Sequence, residues 1–154
     1  MLGSRDGGAS FASLPATGLC PDLSVTRPRN RESQASLVAS PFAPGDLFLN
    51  CGGALYRSRD GGSAFARIAN GLDVQLFGLG IGRTPSQPAL YAIGRRQGIT
   101  AIWRSLDGGA EWSRVNDDAH LWGHRFRAIT GDPRRFGRVY VATDGRGIVY
   151  GDPR

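Results

Sequence analysis

Ser58-Arg59-Asp60-Gly61-Gly62-Ser63-Ala64-Phe65 is a turn written out in side-chain chemistry. An Asp at the corner accepts hydrogen bonds from backbone N–H groups two or three residues on, a Gly supplies positive φ without a Cβ clash, and the Ser hydroxyl closes the other side. The aromatic residue that follows begins the next strand and anchors the hairpin by burying its ring. Ser58, Asp60, Gly62 and Phe65 hold these places here, and the same spacing recurs at Ser4, Asp6, Gly8 and Phe11 and at Ser105, Asp107, Gly109 and Trp112. Three such Asp boxes punctuate the chain, and all twelve residues are read as structural.

A second element repeats between the boxes. Asp46-Leu47-Phe48-Leu49 precedes Ala54-Leu55-Tyr56-Arg57, Ala89-Leu90-Tyr91-Ala92 precedes Ala101-Ile102-Trp103-Arg104, and Arg138-Val139-Tyr140-Val141 precedes Gly147-Ile148-Val149-Tyr150. Short strands separated by Gly turns, at a period of about 45 residues, are the signature of β-propeller blades. The expected fold is all-β: one partial propeller domain over 1–154, built of about three four-stranded antiparallel blades. Residues 1–14 read as the end of a preceding blade. One blade then covers 36–69, with strands near 36–40, 46–50, 54–58 and 63–68. The next covers 75–115, with strands near 75–81, 89–94, 99–105 and 110–115. The last, over 125–151, stops before its outer strand. Closed propellers use about four to eight blades, so the chain is expected to be a piece of something larger. A compact non-propeller β domain and self-assembly of the piece into a ring are the alternatives.

Composition agrees with this pattern. Lys is absent, Glu occurs only at Glu32 and Glu111, and 23 Gly with 9 Pro in 154 residues leave too few strong helix formers for a bundle. A hydrophobic content of 40% is too high for a disordered chain. No apolar run approaches the roughly 20 residues needed to cross a bilayer, so no membrane partner is expected. The net charge of +6 comes from scattered arginines. No helix-turn-helix, zinc-finger spacing or aromatic RNA-binding motif accompanies it, which argues against nucleic acid. Cys20 and Cys51 form no CxxC pattern, which leaves two buried thiols or one disulfide. The N-terminal residues lack a basic region followed by an apolar stretch, so no secretion signal is read in them.

The boxes run on into more discriminating blocks. Ser105-Leu106-Asp107-Gly108-Gly109-Ala110-Glu111-Trp112 leads to Val115-Asn116-Asp117-Asp118-Ala119-His120-Leu121-Trp122-Gly123. Ala128-Ile129-Thr130-Gly131-Asp132-Pro133 leads to Phe136-Gly137-Arg138-Val139-Tyr140-Val141-Ala142-Thr143-Asp144-Gly145-Arg146-Gly147-Ile148-Val149-Tyr150-Gly151-Asp152. Together with Gly53 to Gly62, these resemble the C-terminal end of glycoside hydrolase family 74, the xyloglucanases and related endo-β-1,4-glucanases. The resemblance implies a large secreted enzyme of two seven-bladed propellers facing each other across a cleft that holds a branched glucan. It implies inverting chemistry by an acid and a base carboxylate about 6.5–9.5 Å apart. Neither catalytic Asp is expected inside this chain. Its partners would be the xyloglucan chain, the N-terminal propeller and the remaining blades.

Candidate residues gather in one segment. Asp117 and Asp118 are adjacent carboxylates, but neighbours on an extended chain point to opposite sides, and an acid/base pair must flank one bond. Turn capping or loop ordering fits them better. His120 and His124 have helical i, i+4 spacing, yet Leu121 stands where a zinc protease needs Glu and Gly123 disfavours a helix, so no metal is expected. Trp122 can stack on the apolar face of a sugar or bury itself in the blade. Trp122, His120 and Asp118 are the expected substrate contacts. No cofactor is expected, because Gly78-Leu79-Gly80-Ile81-Gly82-Arg83 lacks the GxGxxG spacing of a nucleotide loop. Asp144 to Gly147 and Gly131 to Pro133 read as turns. The competing function is a non-catalytic Asp-box module that binds a glycan or protein. A sialidase is a weaker third, lacking the early Arg-Ile-Pro segment of those enzymes.

Overall fold

The computed structural model describes residues 2–20, 35–84, 86–121 and 125–153. An N-terminal hairpin pairs β1 (Leu2–Gly3) with β2 (Ala12–Ser13). A first sheet orders β3 (Ser36–Ala39), β4 (Leu47–Cys51), β5 (Ala54–Ser58) and β6 (Ala66–Ile68) in sequence. A second sheet repeats the meander with β7 (Asp73–Thr84), β8 (Gln87–Arg96), β9 (Ile99–Ser105) and β10 (Ser113–Arg114). The third sheet has three strands, β11 (Phe126–Gly131), β12 (Val139–Thr143) and β13 (Ile148–Gly151). Every pairing within a sheet is antiparallel, giving the all-β, partial-propeller architecture expected from the repeats.

Side-chain alternation explains how the sheets stack. Residues 88–94 of β8 are buried without interruption, because both faces of the strand are covered. Leu90 and Ala92 point toward the first sheet, where they join Phe48, Leu55, Val74, Phe77, Trp103 and Trp112. Ala89, Tyr91 and Ile93 point the other way and pack with Ile129, Val139 and Val141 of the third sheet. On the far side of the first sheet, Leu49, Cys51 and Phe65 meet Leu19 and Cys20. There a disulfide joins Cys20 to Cys51 across 31 residues, deciding between the two readings the sequence allows. Thr17 forms a parallel bridge with Ala64, so the N-terminal segment lies along the outer side of the first sheet.

The stretch from Gly78 to Arg83 belongs to β7, where strands of neighbouring sheets come into backbone contact. A Cβ on Gly80 would stand 2.7 Å from Gly131 Cα, and one on Gly131 would stand 2.6 Å from Gly80 Cα, closer than atoms with side chains permit. Thr130 Oγ1 donates to the Leu79 carbonyl at 3.2 Å, and the Ile81 N–H donates to the Asp132 carbonyl at 2.9 Å, tying the two sheets along this seam.

The outer strands β6 and β10 start later than the sequence suggests, at Ala66 and Ser113. The reason lies in the boxes: the N–H groups of Ser63, Ala64, Ala110 and Glu111 donate to Asp60 or Asp107 and are unavailable to a ladder. In all three boxes the Ser hydroxyl donates to the Asp at 2.7 Å and accepts the N–H of the second Gly, Gly8, Gly62 or Gly109, at 2.8 to 2.9 Å. Gly62 sits at φ 96°, a backbone state that requires Gly. Phe65 and Trp112 are 5% and 6% exposed, as anchors should be. Phe11 is a correction: its ring is 64% exposed, because its hairpin consists of two two-residue strands and no described strand packs over it.

These turns hold their carboxylates ionised. The hydroxyls of Ser10 and Ser4 hold Asp6 far below the ordinary carboxyl value, and the Ser58 hydroxyl with the Ala64 N–H lowers Asp60. Burial pushes Asp107 upward, but the Glu111 N–H, the Ser105 hydroxyl and the Ala110 N–H outweigh it and leave the group lowered. A carboxyl lowered in the fold stabilises it above the unfolded value near 3.8, and that contribution disappears as pH falls through the folded value. The melting temperature is therefore expected to be flat with respect to these groups above about pH 5 and to fall below about pH 4. Asp60→Asn and Asp107→Asn should flatten that acid limb. An acid limb of equal steepness in both variants would remove the boxes as its source.

Candidate functional site

The segment that follows β10 is fastened to the second sheet residue by residue. Asn116 Oδ1 accepts the Ile102 N–H at 2.7 Å, and Asn116 Nδ2 donates to the His120 carbonyl at 3.0 Å. Asp117 has extended backbone and caps the single-turn 3-10 helix Asp118–His120 by accepting the His120 N–H at 2.9 Å. The same carboxylate contacts His120 Nδ1 at 2.5 Å. Asp118 instead pairs with Arg114 at 2.6 Å, four residues earlier. The adjacent carboxylates are thus directed to different partners, one closing the turn and the other bracing it against β10. Trp122, Gly123 and His124 lie outside the described residues. Of the three expected substrate contacts, His120 and Asp118 both lie on this turn, the first against Asp117 and the second against Arg114.

A groove of about 600 Å³ opens beside this turn, between β9 and β10 on one side and β12 and β13 on the other. Ile102, Val139, Val141 and Val149 form its floor, while Arg104, Arg114, Asp117, His120 and Asp152 give it polar rims. A smaller cavity of about 250 Å³ lies on the other side of Asn116, between Thr100, Asp118, Leu121 and Phe126.

The face of the third sheet turned away from the second carries a cluster that sequence reasoning did not single out. Arg138 forms a bidentate pair with Asp152, both bonds at 2.7 Å, and its guanidinium lies 4.8 Å from the centre of the Tyr150 ring. Asp132 accepts the Tyr140 hydroxyl at 2.8 Å and the N–H groups of Arg134 and Arg135, closing the turn after Gly131. The signal available in the sequence was the Arg138-to-Asp152 block itself, but pairing across a hairpin is not visible before the register is known.

Electrostatics define what these groups can do. The His120 ring holds Asp117 below the ordinary carboxyl value, the Arg134 N–H and the Tyr140 hydroxyl do the same for Asp132, and Arg138 does so for Asp152. An inverting hydrolase needs one carboxyl raised enough to hold a proton. Each described carboxyl that is displaced from its ordinary value is displaced the other way. These groups order their loops and accept hydrogen bonds. Among the described residues no three His, Cys, Asp or Glu side chains converge as a metal would require.

No protein-family model matches the chain. It is 40% identical to a xyloglucanase of a Paenibacillus species over 159 aligned residues, which take in 97% of this chain and 14% of that protein. It is 39% identical to xyloglucanase Xgh74A of Acetivibrio thermocellus, over 97% of this chain and 17% of the relative. The chain therefore spans less than a fifth of the length of these relatives. Among solved structures, the GH74 enzyme of Niastella koreensis superposes with a TM-score of 0.75 at 30% identity, covering 97% of this chain and 21% of that one. In sequence and in the stacking of its sheets, the chain is similar to one part of these xyloglucanases and of a GH74 enzyme.

Proposed function

We propose that this chain is the C-terminal propeller portion of a secreted, xyloglucan-degrading, inverting glycoside hydrolase, and that it forms part of the polysaccharide cleft without carrying the catalytic carboxylates. The observation that carries the reading is the alignment with xyloglucanases along 97% of the chain combined with its small share of their length. A disulfide between Cys20 and Cys51 suits an oxidising, extracellular setting. The turn bearing His120 and Asp118 leads directly to Trp122, whose ring would stack on the glucan backbone.

The purified chain is expected to show no release of reducing sugar from xyloglucan, and to be retarded in xyloglucan affinity gels. Trp122→Ala should weaken that retardation by about tenfold, in keeping with a ring contact of roughly 1–1.5 kcal/mol, at an unchanged melting temperature. Turnover by the chain alone would reject the division of labour, and equal retardation of the variant would remove Trp122 from the cleft.

A further inference from the structure

The turn from β8 to β9 and the segment from β10 to β11 meet at the end of the sheets opposite the Asp boxes, and the cavity of about 250 Å³ lies between them. We propose that this cavity is a subsite for a branch sugar of the glucan: a single pyranose ring enters between Ile99 and Leu121 while the main chain stays outside. The inference rests on the glucan reading and deepens it, by naming the part of the polymer that the second and third sheets recognise.

The lining divides by chemistry. Buried Ala101 and Ile102 of β9 give the cavity an apolar floor, and Phe126 at the start of β11 adds a ring from the third sheet. Ile99 and Leu121 stand at the rim, 46% and 42% exposed, and neither joins any of the three apolar clusters that hold the sheets together. Two large apolar side chains are thus kept at a cavity mouth without a packing role in the core.

The polar groups are few and partly unspent. Asp118 accepts from Arg114 through one oxygen at 2.6 Å, and its second oxygen, on a side chain that is 88% exposed, takes no bond among the described residues. The Thr100 hydroxyl is likewise unbonded among them, whereas both amide atoms of Asn116 are already committed to Ile102 and His120. Arg114 balances the charge of Asp118, so the lining asks for a neutral ligand. An apolar space with one acceptor and one hydroxyl at its mouth fits a pyranose, which offers a C–H face together with an edge of hydroxyls. The volume suits one ring, not a run of the main chain.

Both walls are fixed before any sugar arrives. Arg96 pairs with Ile99 across a two-residue turn, Gln97 and Gly98, at φ 51° and 82°. Such a turn favours Asn or Gly at its first place, so Gln97 holds the left-handed state at a cost that the surrounding contacts must offset. They do so through Arg96, whose Nη1 donates to the Trp112 carbonyl at 2.8 Å and whose guanidinium lies 6.0 Å from the centre of the Trp103 ring. Opposite, Asn116 ties the Asp118–His120 turn to β9. A cavity held open in this way spares the ligand the entropy of ordering its walls.

Affinity electrophoresis in gels of xyloglucan and of an unbranched mixed-linkage β-glucan tests the assignment. The parent is expected to bind xyloglucan about tenfold more tightly than the unbranched polymer. Thr100→Trp, which fills the cavity, and Leu121→Ser, which removes an apolar wall, should each weaken xyloglucan binding by about fivefold to tenfold and leave affinity for the unbranched glucan unchanged. Both side chains are exposed, so both variants should melt with the parent. Undiminished binding of xyloglucan by both variants overturns the subsite and leaves the glucan reading standing. Equal losses on the two polymers would put the main chain in the cavity and overturn it as well. A parent that neither gel retards removes the glucan reading and the subsite together.

Discussion

Replacing Asp46 with Ala is expected to cost about 3–5 kcal/mol, a large share of the roughly 5–15 kcal/mol by which a domain is stable. Arg57 donates to both oxygens of Asp46, at 2.6 and 2.9 Å, and the two side chains are 6% and 4% exposed. The guanidinium also lies 4.9 Å from the centre of the Phe48 ring, and its Nη1 already has no hydrogen-bond partner among the described residues. Removing the carboxylate leaves a cation enclosed between two sheets with only the ring face for compensation. Such a loss is far larger than deleting the pair together. The double variant Asp46→Leu, Arg57→Met should therefore recover most of the urea midpoint, since apolar groups of similar volume need no partner. An unfolding free energy for Asp46→Ala within about 1 kcal/mol of the parent would show that the pair is solvated, against its geometry.

The second large effect concerns the cross-link. Cys20 and Cys51 are separated by 31 residues, and closing a loop of that length restricts the unfolded chain by about 3.5–4 kcal/mol at 25 °C in the chain-entropy account. Reduction, or the paired change Cys20→Ser and Cys51→Ser, is expected to lower stability by that order. The loss should be accompanied by release of the 15–20 segment from the first sheet. Hydrogen exchange at the Phe65 N–H, which donates to the Thr17 carbonyl at 2.9 Å, reads that release separately from global unfolding. Two free thiols in the oxidised, purified chain would dispose of this expectation at once.

The boxes show how local chemistry fixes structure before any sheet is assembled. Each turn satisfies its own N–H groups from Ser and Asp within five residues, so the pattern at Ser58 or Ser105 needs no knowledge of the rest of the chain. The same holds for the strand order, because a meander with turns of a few residues allows only neighbours to pair. Strand ends were harder: the start of β10 depended on which N–H groups Asp107 had already taken. Around the candidate site, the capping role of Asp117 followed from its place in a polar loop, whereas its contact with His120 needed the 3-10 turn to be seen.

By itself, then, the sequence determined the all-β repeat, the three box turns and the resemblance to xyloglucanases, since each rests on residues close together in the chain. The tertiary structure alone decided which cysteine state exists, that Arg57 meets Asp46, that Gly80 and Gly131 bring two sheets into backbone contact, and that Phe11 lies bare while Phe65 and Trp112 are enclosed. Those outcomes depend on what the neighbouring sheet brings to each face. Three rings with the same local pattern differ in fate because burial belongs to the pair of surfaces that meet, not to the segment that carries the ring.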